Sequence, residues 1–164
     1  MATEQTELAY SRGDDRLALL RGPIDAEPIL GRWRNPDETS GGISEIDISR
    51  RDGGLAVRVV AAGGPDGPIE WGEVQVELYS DISMTGGGRG AVGPDASGQV
   101  PAHYADLSGT GGGPAFLATF DHGFGRVDLQ CRLNLGLLVV AIYSEFADDS
   151  GRPNYFLRPV YARR

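Results

Sequence analysis

Between Arg126 and Asn134 polar and apolar side chains alternate without a break. Val127, Leu129, Cys131 and Leu133 fall on one side of an extended chain; Arg126, Asp128, Gln130, Arg132 and Asn134 fall on the other. A period of two predicts a β-strand with one face in a core and one in water. The pattern recurs along the chain. Residues 29–35 read as a first strand. Residues 43–50 place Ser44, Ile46 and Ile48 inward and Glu45, Asp47 and Ser49 outward. Residues 55–61 turn Leu55, Val57 and Val59 inward, and residues 70–81 do the same with Val74, Val76 and Leu78. Residues 116–120, 126–134, 137–146 and 154–161 supply four more. Asp52-Gly53 between the second and third strands is a hairpin signal, because Gly accepts the positive φ that tight turns require. A turn carrying Gly136 and a second over residues 148–153 make the last three strands an antiparallel meander.

Eight strands on short turns, with one consistent apolar face, predict an all-β fold. The expected architecture is an antiparallel up-and-down barrel, since closure removes both sheet edges. A β-sandwich is the alternative. Residues 1–28 read as an N-terminal extension, in part disordered, and residues 29–164 as the barrel domain. Residues 82–114 interrupt the rhythm with glycine runs and prolines, as a functional flap or a disordered segment would. The 137–146 strand is apolar on both faces: Leu137, Val139 and Ala141 on one, Leu138, Val140, Ile142 and Phe146 on the other. A barrel strand has one outer face, so something must cover it, and a homodimer with this strand near the two-fold is expected.

Composition narrows the chemistry. The chain has 164 residues, enough for one domain with a sizeable core. Its 15 basic residues are all Arg, which excludes a Schiff-base lysine and a P-loop lysine and hints at a high-GC bacterium. A net charge of -8 argues against nucleic acid and against anionic membranes as partners. The single cysteine, Cys131, sits at an apolar strand position and reads as a core residue. With no signal-peptide pattern and no long apolar run, the sequence predicts a cytoplasmic protein.

Gly31-Arg32-Trp33 resembles the G-x-W that opens the barrel of lipocalins and avidins, together called calycins. The resemblance implies that Trp33 closes one barrel end and that an Arg from the last strand lies across its indole. Arg158 is the best match for that partner and Arg163 the second. The paired cysteines of calycins are absent here, and the polar biotin-binding constellation of avidins is not recognisable.

Candidate chemistry is sparse. His103 and His122 have no further ligand at metal spacing, so neither metal nor cofactor is expected. Of the two, His122, at a barrel rim, is the better placed to touch a ligand. Trp33, Trp71, Tyr79, Tyr143, Tyr155 and Tyr161 all fall on or at the ends of predicted strands. Together they make an apolar cavity with a few polar points, as small-molecule pockets are. The expected ligand-binding residues are Trp33, Trp71, Tyr79, Phe116, His122 and Arg158. The expected catalytic residues are Tyr143, Glu145 and Tyr155; Glu145 and Tyr143 share a face, and Glu145 becomes a desolvated acid or base if that face is inward. The leading expectation for function is a cofactor-independent cyclase or isomerase of bacterial specialised metabolism that folds a small, mostly apolar substrate inside the barrel. A carrier or sensor of a small hydrophobic ligand is the alternative, and a filled structural or interaction barrel the third.

Overall fold

Ten strands form one antiparallel sheet in the computed structural model, which describes residues 24–81 and 113–163. The strands are β1 (Gly31–Arg34), β2 (Ile43–Arg51), β3 (Gly54–Ala61), β4 (Ile69–Val76), β5 (Leu78–Asp81), β6 (Gly113–Asp121), β7 (Gly125–Asn134), β8 (Leu137–Phe146), β9 (Tyr155–Leu157) and β10 (Val160–Arg163). Their order is β4-β3-β2-β1-β10-β8-β7-β6-β5, with β9 paired to β8 off that path. The sheet curls into a half-barrel, not a sandwich. Residues 1–23 of the expected 1–28 extension, and the expected flap but for its last two residues, lie outside the described residues. Ala26 and Ile29 belong to the core, flanking the exposed Glu27 and Pro28 of a single 3-10 turn, Glu27–Ile29.

The strand count exceeds the expected eight because two predicted strands are each broken once. Residues 69–81 form β4 and β5 with Glu77 between them, and these two stand at opposite ends of the sheet order. One short segment therefore serves both margins. At the other break, β9 and β10 both run along β8 and are separated by Arg158 and Pro159. Proline has no N–H to give the ladder. Its carbonyl still accepts from the Val140 N–H at 3.1 Å, which keeps the two pieces aligned.

Alternation works as expected on most strands. Leu55, Val57 and Val59 of β3, Leu129 and Cys131 of β7, and Leu138, Val140 and Ile142 of β8 are buried in one contiguous apolar cluster. Burial raises the Cys131 thiol far above its ordinary range, so it serves as core. Two register shifts alter the pattern. In β2 the extra residue is Ser44, so Ile43 is buried instead, while the Ser44 hydroxyl donates to the Val60 carbonyl at 3.0 Å. In β4 the extra residue is Trp71, between Glu70 (opposite Val60) and Gly72 (opposite Val59). Strict alternation sends Trp71 outward with Glu73 and Gln75. The bulge, with Gly72 at φ +96°, turns its indole onto the core, as bulges re-aim side chains.

One end of the interior is sealed. Trp33 is 1% exposed; its Nε1–H donates to the Ile29 carbonyl at 2.8 Å. The Arg163 guanidinium lies 4.8 Å from the indole centroid, and its Nη2 donates to the Pro28 carbonyl. Arg163, not Arg158, is the partner of Trp33. The reason is parity: Arg163 is directly opposite Trp33 and two residues beyond the fully buried Tyr161, whereas Arg158 is an odd number of residues from both and lies on the outer face. The Tyr161 hydroxyl donates to the Ile43 carbonyl at 3.2 Å, and burial raises its ionisation well above the ordinary range.

Candidate functional site

At the far end of the β7–β8 hairpin the interior is less well covered. Register places Phe120, Val127, Ser144 and Tyr155 side by side across β6, β7, β8 and β9, all on the inner face. Trp71 reaches this row from β4. Its ring stands edge-on to Phe120 at 5.6 Å and to His122 at 5.0 Å, and His122 stacks on Phe124 at 5.8 Å. The set continues through Arg152, whose guanidinium lies 5.3 Å from the Phe124 ring and 4.1 Å from the Phe146 ring. Phe146 in turn meets Tyr155 at 6.0 Å. Trp71 and Val127 are half-buried, and Tyr155 is 47% exposed although it faces inward.

Two connections hold this rim. In the β6–β7 turn the Asp121 carboxylate accepts from the Gly123 N–H at 2.8 Å, Gly123 takes φ +76°, and the His122 N–H donates to the Gly125 carbonyl at 2.9 Å. Gly125 must lack a side chain: a Cβ there falls 2.7 Å from the Glu145 carbonyl oxygen. Between β8 and β9, the Asp148 carboxylate accepts from the Ser150 hydroxyl and from Arg152 Nη2, while Arg152 Nε donates to Ser150 Oγ at 2.8 Å. The Ser150 hydrogen bond, with the Arg152 contact added, holds the Asp148 carboxyl below its usual range against an opposing desolvation.

Two polar atoms inside this apolar surround have no partner. Ser144, 3% exposed, is the only buried polar or charged residue among the described residues, and its Oγ makes no hydrogen bond. His122 Nε2 is likewise buried and unpaired. Unpaired buried polar atoms are rare in folded proteins, because each has given up water with nothing in return. A third, Asn134 Oδ1, lies at the other end of β7 beside the Leu135-Gly136 turn.

The expected site residues are thus divided. Trp71, His122 and Tyr155 come together at this end. Trp33 and Phe116 are wholly buried in the core away from it. Tyr79 is exposed on β5, and Arg158 is exposed on the outer face. Tyr143 and Glu145 also face outward: Tyr143 is 42% exposed and meets Phe156 at 5.0 Å, and Glu145 is exposed. The inward placement on which a desolvated Glu145 depended does not hold, because Leu138, Val140, Ile142 and Ser144 take the inner face of β8. Sequence reasoning missed Ser144, Phe120, Phe124, Phe146 and Arg152. Ser144 shares the phase of Leu138, Val140 and Ile142, but with both faces of β8 apolar that phase does not mark it as inward. Among the described residues no group of three or more His, Cys, Asp or Glu could hold a metal ion, and no helix is long and apolar enough to cross a membrane. No protein-family model, curated protein or solved structure matches this chain.

Proposed function

We propose that the protein is a calycin-like cytoplasmic barrel that binds a small, mostly apolar molecule at the Trp71 end, as a carrier or sensor. The observation that carries this reading is the aromatic set of Trp71, Phe120, His122 and Tyr155 gathered at one end of the interior, where a buried hydroxyl has no partner. Pockets for small molecules combine an apolar lining with a few polar groups in this way. Binding is preferred to a cyclase or isomerase reaction because the carboxylate expected to act as acid or base, Glu145, points to solvent with Tyr143. The test uses the neutral naphthalene dye prodan. Its emission should shift to the blue with saturable one-to-one binding, and Trp71→Ala should weaken binding at least about tenfold, the loss of one good aromatic contact. Binding that does not saturate, or that ignores Trp71→Ala, would overturn the reading.

A separate observation favours self-association. The outer face of β8 and its neighbours exposes Leu137, Tyr143, Phe156 and Val160. The outer face of β1–β4 instead pairs Arg32 and Arg34 with Glu45, Arg51 with Glu73, and Arg58 with Glu70. We propose that the apolar face seats a second copy of the chain. Sedimentation at micromolar concentration should give a dimer that Tyr143→Asp with Phe156→Asp converts to a monomer; a monomeric wild type would refute it.

A further inference from the structure

We infer that the molecule bound at the Trp71 end carries a neutral hydrogen-bonding group, a carbonyl or hydroxyl, that seats on Ser144 Oγ. The inference rests on the binding reading above and specifies the class of ligand. Ser144 shares the inner face of β8 with Leu138, Val140 and Ile142, so its hydroxyl is aimed into the interior. Its neighbours in register are Val127 on β7 and Tyr155 on β9, and Phe120 lies beyond Val127. Val127 and Phe120 offer no hydrogen-bonding side-chain atom, and no hydrogen bond joins Ser144 Oγ to the Tyr155 hydroxyl. An Ala at this position leaves no polar atom stranded, whereas a ligand group that bonds the hydroxyl removes the cost of its burial.

The charge of that group follows from what surrounds it. Among the described residues no Arg, Asp or Glu is buried. The guanidinium in the aromatic set, Arg152, is exposed, paired with Asp148 and placed over Phe124 and Phe146. A carboxylate beside Ser144 is therefore desolvated with no buried guanidinium facing it, which costs more than one hydroxyl returns. A hydrocarbon leaves the hydroxyl stranded. A ketone, alcohol or similar neutral group avoids both penalties. The second unpaired atom, His122 Nε2 beside Trp71, adds another polar point at the same end.

Three probes of one shape separate these cases: acetophenone (neutral carbonyl), ethylbenzene (hydrocarbon) and benzoate (carboxylate), each titrated while the Trp71 indole N–H and Ser144 amide resonances are followed. Acetophenone should bind about tenfold more tightly than ethylbenzene, the worth of one buried hydrogen bond, with benzoate weakest. Ser144→Ala should remove the acetophenone advantage while ethylbenzene binding persists, which also shows that the variant is folded. Equal affinity of acetophenone and ethylbenzene, or an advantage that survives Ser144→Ala, overturns the inference and leaves the binding reading standing. Tightest binding by benzoate does the same. If none of the three shifts these resonances, the binding reading itself fails.

Discussion

The chain has two tryptophans, and they do opposite things. Trp33 closes one end of the interior: its ring is buried, its N–H is bonded to Ile29, and Arg163 lies over its outer face. Trp71 borders the other end half-buried, edge to face with Phe120 and with His122, whose Nε2 has no partner, at the end where Ser144 Oγ is also unpaired. In the first environment the indole N–H and the guanidinium that covers the ring both have backbone partners, as stability favours. The second leaves polar capacity unused, and such unspent capacity is where a protein has given up stability for something else.

If this contrast is right, removing each indole should give opposite profiles. Trp33→Ala opens a large cavity in the core and strands the Arg163 guanidinium, so it should cost about 3–5 kcal/mol in denaturant unfolding. Trp71→Ala, at a half-buried site, should cost no more than about 1–2 kcal/mol while weakening prodan binding at least about tenfold. Equal destabilisation by the two would remove the distinction between a closing end and a binding end.

A smaller effect sharpens the same comparison. Arg163→Ala loses a cation–π contact and a hydrogen bond to the Pro28 carbonyl, together worth about 1–2 kcal/mol. Arg158→Ala, on the exposed outer face, should change stability by less than about 0.5 kcal/mol. Thermal unfolding of the two single variants checks this directly; a larger loss from Arg158→Ala would contradict the assignment of Arg163 to Trp33.

How much of this could be read beforehand follows from which interactions are local. The period of two located nearly every strand and the inner faces of β3 and β7, because pleat geometry depends on neighbours two residues away. The same rule contained the answer for Arg163, since it shares phase with Tyr161 and Arg158 does not. Trp71 was picked out for being aromatic, but its inward turn was not legible: it comes from a one-residue slip against β3, a relation between segments that no local pattern carries. The faces of β8 were undecidable for a related reason. Both are apolar, so the pattern alone does not choose, and only the neighbours β7 and β10 assign Leu138, Val140, Ile142 and Ser144 to the inside. Glu145 went outward with that choice. The rim contacts of Arg152 join two turns more than twenty residues apart in sequence and lay beyond any reading of either turn by itself.

The smallest effect concerns how the open end keeps its shape as pH changes. Asp148 takes its depressed ionisation first from the Ser150 hydroxyl and then from Arg152, and the same two contacts hold Arg152 over Phe124 and Phe146. A carboxyl whose folded value lies below the unfolded 3.8 contributes fully above that value and loses its contribution as pH falls through the folded one. The guanidinium stack should therefore be constant from neutral pH down to about pH 4 and loosen only below it, seen as faster solvent exchange of the Arg152 Nε–H. Asp148→Asn should give fast exchange already at neutral pH, with no further acid transition. The sealed end supplies the control, because the Trp33 indole N–H is bonded to a backbone carbonyl that does not titrate. Its exchange should stay slow across the same range. Release of Arg152 centred well above pH 4 would mean that a group other than Asp148 holds the rim.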